Sequence, residues 1–228
     1  MRPSSTRAPR GPDTGEPTTL LLVRHGRTPL TEAKRFSGSG GSDPDLSPAG
    51  RQDAARVAAL MRRLATGEST APADVGRPAV LVCSPMRRTR QTAAAIAEAT
   101  GLTPGVDERW IEAGFGEWEG LTFAEIVKGW PVDVARWQGS MSSPPPGGES
   151  LQAVVDRVRA ARRDVVERNP GQVVVVVSHV TPVRAVVHEA LSAGPAALWS
   201  VRIGPCSVTA VRFWRDGNAE VLGVNLTP

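Results

Sequence analysis

The stretch that most limits the fold is a run of five valines at residues 173–177, followed directly by a serine. Valine favours extended backbone, and a run without polar alternation indicates a strand that is buried on both faces. Two shorter apolar runs, at residues 19–23 and 79–83, have the same character. Because strands of this kind are typical of parallel sheets covered by helices, the chain is predicted to be an α/β protein.

Segments with helical periodicity separate these runs. Ser47 is a suitable N-cap and Pro48 a suitable first residue for a helix that continues to about residue 65. A second helix is predicted to stop at Gly101, a third to run from Ser150 to residue 169, and a fourth to begin near Pro182. Strands joined through helices pair in parallel with right-handed crossovers, so we predict a three-layer α/β/α sandwich around a mainly parallel central sheet.

Three regions depart from this alternation. At the C-terminus, the turn pair Asp216-Gly217 separates two β-like runs, which predicts an antiparallel hairpin. Residues 106–134 have no regular period, and we interpret them as short helices over an open loop. Residues 142–150 are rich in serine, proline and glycine and are predicted to be non-helical.

The N-terminal residues 1–17 are poor in apolar side chains, so we expect a disordered tail. The remainder, 18–228, is expected to form a single domain, since 228 residues with 40% hydrophobic content are enough to bury a sizeable core. No stretch approaches the roughly 18 apolar residues of a membrane span, and the first residues contain no apolar signal segment. Cys83 and Cys206 lie in apolar runs, which favours reduced thiols, and we expect a cytoplasmic protein without a membrane partner.

The net charge of +4 raises the question of nucleic acid binding. Lysine occurs only at Lys34 and Lys128, and the arginines are scattered beside acidic residues instead of forming one run. No aromatic-rich strand offers a platform on which bases stack. We therefore expect no nucleic acid partner.

Polar residues follow each of the three apolar runs, at Arg24-His25-Gly26, at 84–88 and at Ser178-His179. The carboxyl ends of parallel strands line the ligand crevice of an open α/β sheet, so these residues should converge if the strands are neighbours. Arginine matches phosphate oxygens, which indicates a phosphate ester as ligand, although spacing alone does not choose among Arg87, Arg88 and Arg90. The sequence has no P-loop, no aspartate cluster and no zinc-ligand spacing, and a histidine nucleophile fits a reaction without nucleotide or metal.

Five motifs in order resemble the histidine phosphatase superfamily, in its phosphoglycerate-mutase-like branch. They are RHGRT at 24–28, SPMRRTRQTA at 84–93, IEAGFGEWEG at 111–120, PGGES at 146–150 and VSHVTP at 177–182. Each alone is weak, but together they span nearly all of the chain beyond the tail. The resemblance implies the phosphoglycerate-mutase-like fold and a metal-independent and cofactor-independent phosphatase.

The resemblance also implies roles for five residues. His25 would be the nucleophile that becomes phosphohistidine, and Glu112 the proton donor to the leaving group. Arg24 and Arg88 would hold the phosphate, and His179 would donate to the transferring oxygens. In this reading all five form the catalytic set, and Arg24, Arg88 and His179 also bind the substrate phosphate.

Four further positions are implied to contact the phosphate: Thr31, Ser37, Gly38 and Val180. Thr31 stands where the family usually has asparagine, and it offers a hydroxyl in place of an amide. Val180 stands where the family commonly has glycine, which leaves a backbone N–H but less conformational freedom. The longer insertion of the glycolytic mutases is absent, so a hydrolase is favoured over a mutase.

Several alternatives stay open from the sequence. The reaction is either hydrolysis or a phosphomutase reaction of the same fold, and a non-catalytic phosphate-binding module is the third possibility. A small metabolite phosphate is the expected substrate, and a homodimer is open as the oligomeric state. Trp110 and Trp118 flank Glu112 and are candidates for shaping the leaving-group pocket, whereas His188 is interpreted as a packed helix residue.

Overall fold

A computed structural model describes residues 15–68 and 75–228. The predicted tail therefore lies outside the described residues except at 15–17, and so does the middle of the linker after the first long helix. Within the described ranges, the chain forms one six-stranded sheet in the order β3-β2-β4-β1-β5-β6. The strands are β1 (Thr18–Arg24), β2 (Pro78–Cys83), β3 (Pro104–Val106), β4 (Val173–Ser178), β5 (Val208–Phe213) and β6 (Ala219–Leu226).

The strand directions confirm the predicted sheet. Strands β3, β2, β4 and β1 are parallel, and β5 pairs with β1 in the antiparallel direction. Strands β5 and β6 form the predicted antiparallel hairpin at the C-terminal edge. Strand β4, the valine run, lies in the centre between β1 and β2, which explains why it carries no polar side chain before Ser178.

Eight α-helices lie within the described ranges, together with two 3₁₀ turns at Glu108–Trp110 and Gly116–Trp118. The helices are α1 (Pro29–Glu32), α2 (Pro48–Thr66), α3 (Arg87–Thr100), α4 (Phe123–Gly129), α5 (Pro131–Gly139), α6 (Leu151–Arg168), α7 (Val180–Ala190) and α8 (Ala197–Ser200). The predicted capping is present: the Ser47 and Ser150 side chains accept N–H bonds at the starts of α2 and α6. Gly101 ends α3 with a φ of 76°, a conformation that glycine adopts without strain.

The side chains of β1 alternate between two cores. Leu20 and Leu22 pack with residues of α6 and α7, whereas Leu21 and Val23 pack with residues of α2 and α3. All four are completely buried. The sheet thus has an apolar core on each face, which confirms the predicted three-layer sandwich. Two layers of helices are needed because successive side chains of a strand point to opposite faces of the sheet.

Three elements were not predicted. Strand β3 has only three residues and all of them are exposed, so it leaves no apolar pattern in the sequence. Helices α1 and α8 have four residues each, which is close to a single turn. In residues 106–134 the expected short helices are present as the two 3₁₀ turns, α4 and the start of α5. No helix in the described ranges is long and apolar enough to cross a membrane.

Candidate active site

The three strand exits meet because their strands are neighbours. Arg24 pairs with Ser178 across β1 and β4, and Cys83 pairs with Val177 across β2 and β4. The pairing continues one residue beyond the strands, where the His25 N–H donates to the Ser178 carbonyl at 3.0 Å and the Ser84 N–H donates to the Val177 carbonyl at 3.0 Å. The predicted convergence is thus a direct result of the strand order.

His25 is held in one tautomer. Its Nδ1 lies 2.7 Å from the Gly26 carbonyl oxygen, which only accepts hydrogen bonds, so Nδ1 carries the proton and Nε2 keeps its lone pair. The residue is 6% exposed. Burial, together with the positive charges of Arg88 and Arg24, lowers the pKa of His25 well below its ordinary value. The imidazole is therefore neutral at physiological pH and has a free nitrogen.

His179 lies directly beside it, with a ring-centroid distance of 5.1 Å and an edge-on arrangement. Its Nε2 is 2.8 Å from the Ser84 hydroxyl, and its Nδ1 has no hydrogen-bond partner in the part of the chain that the structure describes. Burial is the main reason why the pKa of His179 is well below its ordinary value, and Arg88 adds to it. The two imidazoles are therefore close neighbours, with His25 on the cavity wall and His179 completely buried beside it.

Arg24 supplies a positive charge next to His25. Its Nη1 donates to the Ile203 carbonyl at 2.8 Å, while its Nε is buried without a partner among the described residues. Burial lowers the pKa of Arg24 to about 10, so the guanidinium stays charged at neutral pH.

The structure distinguishes among the three arginines of the second exit. Arg88 is completely buried, whereas Arg87 and Arg90 are exposed. The Arg88 guanidinium donates to the Ser37 carbonyl at 3.0 Å and to Asp43 Oδ1 at 3.3 Å. Burial lowers the pKa of Arg88, and the Glu112 charge opposes this shift. Arg88 is therefore the arginine whose charge acts on the two histidines.

Glu112 is 5% exposed. It follows the first 3₁₀ turn in the chain, and its carboxylate lies against the first residues of α7. Its Oε2 accepts from the Val180 N–H at 3.1 Å, and its Oε1 accepts from the Thr181 N–H at 3.2 Å. The Ala113 N–H also donates to Oε1, at 2.8 Å. Backbone N–H groups at a helix N-terminus stabilise negative charge, so the carboxylate is bound where an anionic substrate group would also be attracted.

Arg157 of α6 holds the backbone around Glu112. Its Nη1 donates to the carbonyls of Arg109 and Ile111 at 2.8 and 2.7 Å, and its Nη2 donates to the Glu112 carbonyl at 3.2 Å. Glu149 accepts from Nε and Nη2, both at 2.9 Å. Arg157 cannot be identified from the sequence, because an arginine on a long helix gives no sign of what it contacts.

The predicted phosphate contacts Thr31 and Ser37 both line the cavity in front of His25. The Thr31 hydroxyl is 3.0 Å from the Thr28 hydroxyl. The Ser37 hydroxyl is buried and has no partner among the described residues, so it is free to bind a ligand oxygen.

Val180 also lines the cavity and Gly38 does not, but the backbone N–H groups of both residues are already engaged. The Gly38 N–H donates to Glu119 Oε2 at 2.8 Å, and the Val180 N–H donates to Glu112. Any Cβ at Gly38 would overlap the Ala113 carbonyl and the Glu119 carboxylate, so glycine is required for the close packing of this loop. Both amides thus have internal acceptors, and their contact with phosphate stays a prediction.

A cavity of about 360 Å³ opens in front of these groups. Arg24, His25 and Glu112 line it, and much of the remaining wall is aromatic, formed by Phe36, Phe115, Phe123, Trp137 and Trp199. The expectation for Trp110 and Trp118 is wrong: both rings are completely buried and lie outside the lining set. Each ends a 3₁₀ turn and packs into the core beneath α6, so closeness to Glu112 in sequence does not place them in the pocket.

Three cations on the cavity wall were also missed. Lys34 and Arg35 follow α1, and Arg184 lies on α7, where it shares a helix face with Val180 and Thr181. The helical period after His179 is the signal that places Arg184 beside the site. Among the described residues, no group of three or more histidine, cysteine or acidic side chains is arranged to hold a metal ion. The arrangement as a whole is suited to binding an anion next to a neutral histidine.

Comparison with known proteins gives consistent results. A mycobacterial glucosyl-3-phosphoglycerate phosphatase solved with VO3 has a TM-score of 0.77 and 27% identity, over 91% of this chain and 98% of that chain. "Phosphoserine phosphatase 1" of Hydrogenobacter thermophilus is 32% identical over 209 residues, which cover 91% of this chain and 92% of that protein.

A third relative is longer. The "Bifunctional protein Rv2228c" of Mycobacterium tuberculosis is 40% identical over 214 residues, which are 93% of this chain and 55% of that protein. The chain thus spans about half the length of this relative. Residues 20–227 match the histidine phosphatase superfamily (branch 1), in agreement with the resemblance carried by the five motifs. The chain belongs to the histidine phosphatase superfamily.

Proposed function

We propose that this chain is a phosphomonoesterase that transfers a phosphoryl group first to Nε2 of His25 and then to water. The observation that carries the proposal is the His25 Nδ1 contact with the Gly26 carbonyl at 2.7 Å, which leaves the Nε2 lone pair for attack. The phosphatase names of two relatives, which have 32% and 27% identity with this chain, support the same reaction class.

In the first step, the Nε2 lone pair of His25 forms a bond to phosphorus, and the bond from phosphorus to the ester oxygen breaks. Arg24, Arg88 and His179 stabilise the charge on the three phosphoryl oxygens. Glu112 gives its proton to the leaving oxygen, so that a neutral alcohol departs. His25 becomes phosphohistidine.

Glu112 enters that step carrying a proton, and the bound substrate changes the hydrogen bonds of its carboxyl group. In the structure its carboxylate accepts from the Val180 and Thr181 N–H groups. A phosphate dianion placed beside Glu112 competes for these N–H groups, because they attract negative charge at the start of α7. Release of the Val180 N–H would then allow it to contact the phosphate.

In the second step, the Glu112 carboxylate takes a proton from water while the water oxygen forms a bond to phosphorus. The N–P bond breaks, its electron pair returns to Nε2, and inorganic phosphate leaves. Glu112 keeps this proton and is again the acid for the next substrate molecule. The cycle consumes one phosphate ester and one water.

The remaining phosphate contacts belong to the same proposal. The Ser37 hydroxyl, which is buried without a partner among the described residues, donates to a phosphoryl oxygen, and Thr31 contributes its hydroxyl from the cavity wall. Gly38 contributes mainly by allowing the loop to pack closely enough to bring Ser37 into place.

The proposal is tested with an aryl phosphate and an acid-labile, base-stable phosphoenzyme assay on the purified chain. The wild type is expected to turn over and to carry phosphate on His25, whereas His25→Ala does neither. His188→Ala is the matched control, because His188 is the one histidine of the chain outside the site, and it keeps the phosphoenzyme. Turnover by His25→Ala at the wild-type rate would overturn the proposal.

Hydrolysis and phosphomutase chemistry are separated with ¹⁸O-labelled water. A hydrolase places one labelled oxygen in each released phosphate, whereas a mutase returns the phosphoryl group to the bound product and leaves it unlabelled. Release of unlabelled isomerised ester as the main product would replace hydrolysis by the mutase reaction. Absence of both products together with phosphate binding would indicate a non-catalytic module.

The domain organisation, the substrate class, the location and the absence of a cofactor requirement belong to the same proposal. Residues 18–228 act as one domain on a small metabolite phosphate in the cytoplasm, without metal, cofactor or nucleic acid. Activity is expected to survive a chelator, and its complete loss there would contradict the metal-independent mechanism. Sedimentation of the purified chain decides between a monomer and the homodimer left open by the sequence.

A further inference from the structure

Arg184 is a cation on the cavity wall that the proposed reaction does not use. It lies on α7, between the His179 exit and the segment that carries α8, and it lines the same cavity as Arg24 and His25. Its Nε donates to the Val201 carbonyl at 2.8 Å. In the part of the chain that the structure describes, this is its one hydrogen bond, so both terminal nitrogens keep their donors.

No carboxylate neutralises Arg184 among the described residues. Glu112 is the acidic residue on the cavity wall, and its negative charge opposes the lowering of the pKa of Arg184 by burial. The hydrogen bonds of Glu112, however, go to the backbone N–H groups of Ala113, Val180 and Thr181. Arg184 is therefore close to Glu112 without forming an ion pair with it.

The charges on the wall exceed what one phosphate needs. Arg35 is paired with Glu125 at 3.1 Å, but neither Lys34 nor Arg184 forms an ion pair within the described ranges. Arg24 lines the cavity beside His25, and Arg88, whose charge is partly offset by Asp43 at 3.3 Å, acts with Arg24 on a phosphate dianion there. Lys34 and Arg184 then remain as two positive charges for a different part of the ligand.

We propose that Arg184, assisted by Lys34, binds a second anionic group on the alcohol portion of the substrate. The class is a phosphomonoester whose leaving group carries a carboxylate or a second phosphate, since the guanidinium fork binds either one through two parallel bonds. The aromatic wall formed by Trp137, Trp199 and their neighbours contacts the carbon chain between the two anionic groups. This inference rests on the proposed phosphatase reaction and adds a specificity site to it.

The test uses flexible substrates that differ in one group. 3-Phosphonooxypropanoate and 5-phosphonooxypentanoate are each compared with the neutral amide of the same length, and pentane-1,5-diol bisphosphate represents a second phosphate. For at least one chain length, wild-type kcat/KM is expected to be roughly tenfold to a hundredfold higher for the acid than for the amide. The bisphosphate, corrected for its two equivalent esters, shows whether phosphate or carboxylate is preferred.

Variants then assign the preference to Arg184. Arg184→Gln is expected to reduce the acid-to-amide ratio to within about threefold, Arg184→Lys to keep part of it, and Lys34→Gln to reduce it less. Arg163→Gln is the matched control, because Arg163 is an exposed arginine of α6 outside the cavity, and its ratio equals that of the wild type. Equal kcat/KM for acids and amides in the wild type, or an unchanged ratio in Arg184→Gln, would overturn the inference.

Two further results keep the test decisive. If Arg184→Gln does not fold, because the bond to the Val201 carbonyl is lost, the wild-type series and the exposed Lys34→Gln variant still decide.

Hydrolysis of the amides separates the two levels of the proposal, the phosphatase reaction and the specificity site. If the wild type hydrolyses amides and acids alike and His25→Ala hydrolyses neither, the specificity site is wrong and the phosphatase reaction stands; if His25→Ala is as active as the wild type, the reaction itself is wrong.

Discussion

The two strand ends that carry His25 and His179 look alike in sequence and differ in structure. Each histidine follows a buried strand, each is almost or fully buried, and burial lowers the pKa of both. The two rings use different nitrogens for their hydrogen bonds. His25 uses Nδ1, toward the Gly26 carbonyl, whereas His179 uses Nε2, toward the Ser84 hydroxyl.

This difference supports two different proposed roles for the same residue type in one site. A nucleophile needs a free lone pair that is held in place by a proton on the other nitrogen, and His25 meets that requirement. His179 has Nε2 occupied by a side chain of the neighbouring strand exit, and its Nδ1 has no partner among the described residues. Its position suits a fixed donor or charge stabiliser beside the reacting phosphoryl group.

The largest expected effect comes from removing each imidazole in turn. His179→Ala is expected to lower kcat by roughly 10² to 10³, the range for loss of one preorganised donor to a transition state. It should still form phosphohistidine on His25, whereas His25→Ala forms none. Rapid-quench measurement of the phosphoenzyme checks this. If His179→Ala retained the wild-type rate, or if phosphate appeared on His179, the assignment of roles would be reversed or lost.

A smaller effect is expected where the backbone around Glu112 is held. Arg157→Met removes three bonds to backbone carbonyls and the pair with Glu149, so Glu112 loses its fixed position. For an alkyl phosphate, kcat is expected to fall by roughly tenfold to a hundredfold, less than the full value of an acid catalyst. An aryl phosphate with a good leaving group depends less on protonation and should be affected less.

The leaving-group dependence separates positioning from general destabilisation. Arg163→Gln serves again as an exposed arginine control on the same helix and should leave both rates unchanged. If Arg157→Met lowered the alkyl and aryl rates by the same factor, Arg157 would have a structural role that is not specific to Glu112.

A still smaller effect is expected at Ser84, whose hydroxyl lies 2.8 Å from His179 Nε2. Ser84→Ala is expected to lower kcat by about threefold to tenfold, the equivalent of one neutral hydrogen bond. Ser178→Ala is a matched control, since its buried hydroxyl donates to the Trp110 carbonyl at 2.7 Å and has no hydrogen bond to an imidazole among the described residues. The control should lose stability in urea without the same loss of kcat, and equal kcat losses in both would remove the special role of Ser84.

The smallest effect is expected from the property that the two histidines share, a pKa lowered by burial. An imidazole with an ordinary pKa near 6.5 would be about one-tenth neutral at pH 5.5. Because the pKa of His25 is well below that value, the neutral nucleophile persists at pH 5.5, and kcat/KM should fall by less than about twofold from pH 7.5. The pH–rate profile, corrected for ionisation of the substrate, checks this. A tenfold fall with a midpoint near 6.5 would show that burial does not shift His25.

The sequence identified the parts of the fold that depend on local pattern. The valine run of β4, the Ser47 and Ser150 caps and the Asp216-Gly217 turn each produce their structure through neighbouring residues, and all are present. Strand β3 was missed because three exposed residues form a strand only when β2 offers them hydrogen bonds. Motif order likewise brought His25, His179, Arg24, Arg88 and Glu112 to notice, and the strand order explains why the first four meet.

The sequence by itself determined the apolar runs, the helix boundaries and the polar residues at the strand ends, since these follow from side-chain size, backbone preference and the alternation of strands. Only the tertiary structure decided which nitrogen of each histidine is engaged, which tryptophans line the cavity and which arginines keep free donors. Trp110 turns into the core while Trp137 and Trp199 face the cavity, and Arg184 remains without an acidic partner among the described residues. Hydrogen bonds and burial depend on atoms that are distant in the chain, and local sequence carries no record of those distances.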